Sequence, residues 1–159
     1  MKNLFLLLII MTTSAFTCRG QDDTPSQLIR TFYEKIYRST ISPEQIVQDY
    51  IVYSDTSGYR NAVESIRSLR HPLSNANEHF SLLKKDIESN NFTLAAYPSF
   101  DEKEKALFQY LADDDRINIY RLSPQHTIRQ YILVKGSKIR SFFGFQKTGA
   151  DNYTFIVYE

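Results

Sequence analysis

The sequence predicts an α+β fold in which N-terminal helices pack on a curved C-terminal antiparallel β-sheet. Three observations support this fold. Apolar residues recur every three or four positions between residues 25 and 88, which is the helical period. After residue 90 they form short β-rich runs separated by turn residues. The length of 159 residues and the apolar content of 42% suit one domain with a hydrophobic core.

Prolines mark the start of the first two predicted helices. Thr24-Pro25-Ser26-Gln27 has the pattern of a capping box with proline at the first helical position, and Ser42-Pro43-Glu44-Gln45 repeats it. The turn Asp55 to Gly58 precedes a third helix, which ends at His71-Pro72 because a residue before proline disfavours helical backbone. The predicted helices cover residues 25–38, 43–53, 59–70 and 76–88.

The C-terminal half predicts strands joined by short turns. The segment from Glu102 to Ala112 is compatible with either a helix or a strand, and its Glu and Lys content favours a helix. Asp113 to Asp115 is predicted to be a solvated turn, because it lacks the ligand spacing of a calcium loop. The predicted strands cover residues 92–97, 116–122, 127–134, 138–146 and 153–158. Their short connections predict an antiparallel meander.

Residues 1–20 have the pattern of an export signal peptide. Lys2 is the only charge before the apolar run Leu4 to Met11, and this run is shorter than the ~20 residues of a membrane-spanning helix. Cys18 lies where a lipoprotein signal places its lipidated cysteine, and residues 21–24 would form a tether. Lipidation of Cys18 and ordinary cleavage that discards it both stay open. We expect an exported protein of the periplasm, outer membrane or cell surface, with membrane contact only through a lipid anchor.

The ending from Tyr131 to Phe143, two β-rich runs around Lys135-Gly136-Ser137, gives residues 25–159 the layout of a known superfamily. This single domain resembles the nuclear-transport-factor-2-like, or cystatin-like, superfamily. The tether, with Asp22 and Asp23 soon after the cysteine, resembles those of Bacteroidota-type envelope lipoproteins. The superfamily resemblance implies a cone-shaped pocket between helices and sheet, and pairing of two copies through the sheet.

The sequence assigns no catalytic residue, cofactor or metal site. The short signatures for dinucleotides, phosphates and zinc are missing, and the three histidines lack a metal-binding spacing. If the cone pocket were catalytic, its general base would come from Asp49, Asp55 or His71. Removal of residues 1–17, which include Lys2, leaves 18 basic and 18 acidic side chains, so no overall charge indicates nucleic-acid binding.

Charge is segregated in the C-terminal half. Residues 101–115 carry six acids and two bases, whereas residues 116–150 carry seven bases and no acid. Strand alternation predicts a mixed aromatic and cationic surface that suits an acidic partner. Its members are Arg129, Tyr131, Lys138, Arg140 and Phe142. The alternative is that the basic side chains cover a solvated sheet face and are neutralised by the acidic segment of the same molecule.

The function predicted from these features is an exported, envelope-associated, non-catalytic binding or interaction module. Its partner would be an envelope or extracellular protein of acidic character. Two other classes stay open. One is an inhibitor or immunity protein against a secreted enzyme or toxin, and the other is a small-molecule enzyme that uses the cone-shaped pocket.

Overall fold

A computed structural model describes residues 25–71, 78–146 and 149–159, and it confirms the α+β fold. The helices are α1 (Pro25–Arg38), α2 (Pro43–Tyr50), α3 (Thr56–Arg70), α4 (Glu78–Glu88), α5 (Glu102–Ala106) and α6 (Asp113–Ile117). The strands are β1 (Phe92–Ala96), β2 (Ile119–Pro124), β3 (Gln130–Lys135), β4 (Lys138–Ser141), β5 (Gly144–Gln146) and β6 (Tyr153–Phe155). The predicted signal peptide with Cys18, the predicted tether and the side chain of His79 lie outside the described residues. No helix in the described ranges combines the length and apolar character needed to cross a bilayer.

Helix α2 begins where its capping pattern predicts, whereas Thr24, the predicted cap of α1, lies outside the described residues. The Ser42 side chain accepts a hydrogen bond from the Gln45 amide at 3.2 Å, which caps α2. The predicted turn Asp55 to Gly58 is wrong, because Asp55 accepts the Gly58 N–H at 2.7 Å and so caps α3, whose first turn contains Gly58. The predicted end of α2 near residue 53 is also too late, since Ile51 is extended and bridges to Ile139.

The four strands β1 to β4 form an antiparallel sheet in sequence order, which confirms the meander. Residues 113–117 form helix α6 where a solvated turn and the start of a strand were predicted, so β2 begins only at Ile119. The predicted strand 138–146 is two strands, because the chain leaves the sheet after Ser141 and β5 pairs with β6 in a separate sheet. Arg140 is the extra residue of a β-bulge, since Leu133 pairs with Ser141 and Val134 with Ile139.

One face of the sheet packs against helices α1 to α4. Phe32 and Tyr33 of α1 are fully buried there, and Ile132 and Val134 of β3 meet them from the sheet. These side chains belong to one apolar cluster that also takes residues from α2, α3, α4, β2 and β4. We call this side the helix face.

The opposite side, which we call the second face, is also covered. Tyr131 and Leu133 of β3 pack there with Phe100 and Phe108, and β6 contributes partly buried aromatic rings. β3 is therefore buried on both faces. The prediction that this face is open to solvent is wrong, because segment 97–117 and the β5–β6 sheet cover it with aromatic side chains.

Candidate functional site

The structure separates the five residues of the predicted aromatic and cationic surface. Tyr131 is only 2% exposed because it packs between Phe108 and Tyr153 on the second face. Phe142 is 1% exposed because it lies on the helix face against Phe32. The expectation that these two rings line a solvated surface is therefore wrong.

Lys138 and Arg140 are occupied within the molecule. The Lys138 ammonium donates to the backbone carbonyl of Gln48 at 2.7 Å. The Arg140 guanidinium donates to Asp115 at 2.7 Å and to Glu159 at 2.9 Å. Neither cation is left over for a partner in this arrangement.

The acidic segment neutralises much of the basic run. Four pairs join the two segments directly: Asp113 with Arg116, Glu104 with Arg121, Glu104 with Arg129, and Asp115 with Arg140. Lys135 contacts Glu159 instead. The alternative of neutralisation within the same molecule therefore describes these bases better than a free cationic sheet.

Glu104 is a buried carboxylate at the centre of a charge cluster on the second face. The Tyr131 hydroxyl donates to it at 2.6 Å, and Arg121 forms an ion pair with its other oxygen. Burial, followed by the hydrogen bond to Glu104, raises the pKa of Tyr131 well above its ordinary value, so Tyr131 stays a donor. The Arg121 guanidinium also lies over the Phe100 ring, 5.2 Å from its centroid.

Arg129 is the loosely held cation of this cluster. Its guanidinium is 3.9 Å from Glu104, and its side chain is 60% exposed. Arg121 makes the closer contact to the same carboxylate and is much less exposed. The cluster thus contains one carboxylate and two guanidinium groups, and the more exposed of these two belongs to Arg129.

Asp86 is a second buried carboxylate, on the inner side of α4. One of its oxygens accepts the backbone N–H of His126 at 2.8 Å. The other oxygen is buried, has no hydrogen-bond partner in the part of the chain that the structure describes, and lies 3.8 Å from Nε2 of His126. The His126 side chain is 47% exposed, so the imidazole lies between the buried carboxylate and solvent.

Both buried carboxylates contact the loop Gln125 to Arg129, which we call the β2–β3 loop. Asp86 contacts His126 near the start of the loop, and Glu104 contacts Arg129 at its end. Ile128 lies between these contacts and is 71% exposed, the highest value among the exposed large apolar residues in the described ranges. The loop therefore contains, within four consecutive residues, an exposed aliphatic side chain, an exposed guanidinium and a half-exposed imidazole.

The three residues considered as general bases have other positions. Asp49 is exposed and accepts a hydrogen bond from the Gln45 side chain at 2.8 Å. Asp55 and His71 lie at opposite ends of α3, where they are its N-cap and C-cap residues. The structure does not bring these three together. Among the described residues, no group of three or more His, Cys, Asp or Glu residues could hold a metal ion.

The described surface also carries two grooves. The first, of about 260 Å³, is lined by Tyr110 and Val157 and by the Arg140–Asp115 pair. The second, of about 370 Å³, is lined by residues between Tyr97 and Ile117. No histidine and neither buried carboxylate lines these two grooves, so neither places those groups against a bound small molecule.

Sequence reasoning missed both buried carboxylates. A signal for Asp86 exists, because it shares the inner side of α4 with Leu83 and Ile87, which are buried apolar residues. Glu104 gives no such signal, because the surrounding Glu-Lys-Glu-Lys pattern is typical of a solvated helix. Only the packing of α5 on the second face shows that this one acid of the pattern points inward.

Relatives give no function to this site. Comparison of the chain with protein-family models, with curated proteins and with solved structures finds no match. The resemblance to the nuclear-transport-factor-2-like superfamily therefore stays a prediction. The functional proposal below is based on the contacts of the β2–β3 loop.

Proposed function

We propose that this chain is an exported, envelope-associated, non-catalytic binding module that captures an acidic partner protein through the β2–β3 loop. The observation that carries the proposal is the exposure of Ile128 directly beside Arg129. Moving an isoleucine side chain from water into an apolar pocket gains about 1.5–3 kcal/mol. A few residues with gains of this size dominate the affinity of a typical protein interface.

The charge of the loop defines the partner. Residues 116–150 contain no acid, so the loop itself offers no internal counterion to Arg129. Glu104 is shared with Arg121, which holds it more closely. A carboxylate on the partner would complete the pairing of Arg129, and it would give binding that weakens as salt concentration rises.

Export and envelope association are supported by the sequence pattern of residues 1–20 and by Cys18. Intact-mass measurement of the exported protein tests this part of the proposal. A diacylglycerol group on Cys18 supports membrane association through a lipid. An unmodified chain that begins near Gln21 contradicts it.

Capture experiments with matched variants test the loop. Wild-type protein and the variants Ile128→Asp and Arg129→Glu are immobilised and exposed to the envelope fraction of the producing cell. Lys103→Glu, an exposed charge reversal on α5, and Ile117→Asp, at a residue 57% exposed, are the controls. We expect one protein to be retained by the wild type and by both controls but lost with the two loop variants. Equal retention by all five proteins contradicts the proposal.

A second candidate function, an inhibitor or immunity protein, is favoured by the same loop. A single aliphatic residue flanked by a cation fits an enzyme cleft with an acidic rim. The captured protein separates the two candidates. If it is a secreted enzyme or toxin whose activity is lost in a one-to-one complex, the chain is an inhibitor. If the complex leaves the partner's activity unchanged, the chain is a binding module without inhibitory action.

A further inference from the structure

We infer that the β2–β3 loop is a preformed recognition loop, held by Asp86 and Glu104 as positioning residues, and that its partner presents an apolar pocket with an acidic rim. The inference rests on the proposed function and adds to it the role of the two buried carboxylates. It also names the surface that receives Ile128.

The first half of the loop is hydrogen-bonded to α4 and to Asn91, which immediately precedes β1. The Gln125 amide donates to the Asn91 carbonyl at 3.2 Å, and the His126 amide donates to the Asp86 carboxylate at 2.8 Å. The backbone carbonyl of Asp86 also accepts the Asn91 N–H at 2.7 Å. Asp86 therefore connects α4, Asn91 and the loop through hydrogen bonds to its carboxylate and to its backbone carbonyl, and the residue is fully buried.

The end of the loop and the first residue of β3 make contacts on opposite faces of the sheet. Gln130, the first residue of β3, is buried and accepts a hydrogen bond from the Tyr33 hydroxyl of α1 at 3.3 Å. On the other face, Arg129 approaches Glu104, which is itself held by Tyr131. Arg129, the last residue of the loop, and Gln130, the first residue of β3, therefore contact groups on opposite faces of the sheet.

These contacts determine which side chain faces solvent. The Thr127 hydroxyl oxygen is buried, whereas the next side chain, Ile128, is the exposed one. A loop fixed in its binding conformation loses little conformational entropy when a partner closes over it. The conformation of the free protein is therefore the one the partner recognises.

The chemistry of the receiving pocket follows from the exposed groups. Ile128 is aliphatic and branched, and needs an apolar cavity of its own shape. Arg129 offers hydrogen-bond donors and positive charge, and Glu104, the carboxylate in contact with it, is buried and held more closely by Arg121. An apolar pocket rimmed by Asp or Glu side chains matches both features.

Paired substitutions of Asp86 test the positioning role. Asp86→Ala removes the acceptor of the His126 amide, whereas Asp86→Asn keeps an acceptor of nearly the same shape. Hydrogen exchange at residues 126–128 and dissociation of the partner identified by capture are measured on both. With Asp86→Ala we expect exchange to be on the order of tenfold faster and the partner to dissociate on the order of tenfold faster, whereas Asp86→Asn stays close to wild type.

A second variant keeps the test decisive if Asp86→Ala does not fold. Thr127→Gly loosens the loop backbone without touching either carboxylate, and it should accelerate exchange and dissociation in the same way. Unchanged loop exchange in whichever of these variants folds would overturn the positioning role. So would faster exchange without faster dissociation. Retention of the partner by Ile128→Asp is a different result, and it would overturn the proposed function itself.

Discussion

The two faces of the sheet are built differently. The helix face buries a continuous cluster of mainly aliphatic side chains, to which α1, α2 and α3 each contribute. The second face buries fewer residues, and most of them are aromatic rings grouped near the Glu104 charge cluster. Long helices cover the helix face, whereas short helices and a two-stranded sheet cover the second face.

This difference indicates that the two faces contribute differently to stability and to recognition. Apolar area removed from water is the main stabilising term in folding, so the helix face contributes most of the stability. The second face places charged groups at fixed positions under aromatic cover. The β2–β3 loop lies where the two faces meet, because Asp86 reaches it from the helices and Glu104 from the opposite side.

Matched phenylalanine truncations should separate the two faces most strongly. Phe32 on the helix face and Phe108 on the second face are both fully buried. Phe32→Ala should lower the free energy of global unfolding by about 3–5 kcal/mol, because the surrounding helices cannot close the cavity.

Phe108→Ala should act more locally. Its short neighbouring elements can open without unfolding of the helices, so exchange protection should fall in segments 97–111 and 153–155 while α1 and α3 stay protected. Chemical denaturation and residue-resolved hydrogen exchange measure both effects. A loss of protection that spreads equally over both faces would show that the division is wrong.

Truncation of Glu104 is expected to have the next largest effect. Glu104→Ala leaves Arg121 and the Tyr131 hydroxyl without their buried acceptor, and breaking a buried ion pair in this way costs about 3 kcal/mol or more. Glu104→Gln, which keeps an acceptor, should lose less. Denaturation of the wild type and both variants measures these losses, and variants as stable as the wild type would mean that Glu104 does not hold the second face together.

Gly58→Ala tests how the C-terminal segment connects the two faces. This segment places β6 on the second face and Tyr158 in the cluster of the helix face. A Cβ atom on Gly58 would lie 2.0 Å from the backbone carbonyl oxygen of Tyr158, so α3 and the segment must move apart. We expect a loss of about 1–3 kcal/mol and faster exchange at residues 153–158. The neighbouring exposed variant Ser57→Ala is the control, and a Gly58→Ala protein as stable as that control would contradict this packing.

The smallest expected effect is that of Glu159 on stability in acid. Its contact with Lys135, with a further hydrogen bond from Arg140, holds the pKa of Glu159 below the ordinary value of 4.5. The resulting stabilisation is present above that value and is lost as the pH falls through the lowered pKa. Glu159→Gln should therefore cost less than about 1 kcal/mol at neutral pH, and the difference from wild type should shrink as the pH falls below 4.5. Denaturation over a series of pH values from neutral to acid measures the difference, and a constant difference would count against this pairing.

The sequence predicts the helix face well because its helices are long enough to show a regular apolar spacing and because capping residues mark where they begin. Pro25 and Ser42 mark the starts of α1 and α2, and the apolar period identifies the side of each helix that is buried. The second face is harder to predict, since α5 and α6 have five residues each, too few to show a period. The alternation of side chains in β3 correctly predicts that the strand has two distinct faces. No local signal in the sequence shows what covers Tyr131.

The candidate site is predictable only in part. Arg129 was expected at a binding surface and is exposed, whereas Ile128 falls within the predicted strand 127–134 and lies in the loop instead. β3 starts only at Gln130, so alternation does not extend back to Ile128. The contacts that fix the loop come from residues far away in sequence, Asp86 and Glu104, and no local pattern encodes such contacts.

Site-specific photocrosslinking at position 128 measures most directly whether the β2–β3 loop is the contact surface. A photoreactive residue replaces Ile128 in one protein, and in a second it replaces Ile117, which is exposed near the opposite end of β2. The expected result is an adduct between position 128 and one acidic partner protein, with no adduct to that protein at position 117. Partner adducts at position 117 alone, or equally at both positions, would contradict it.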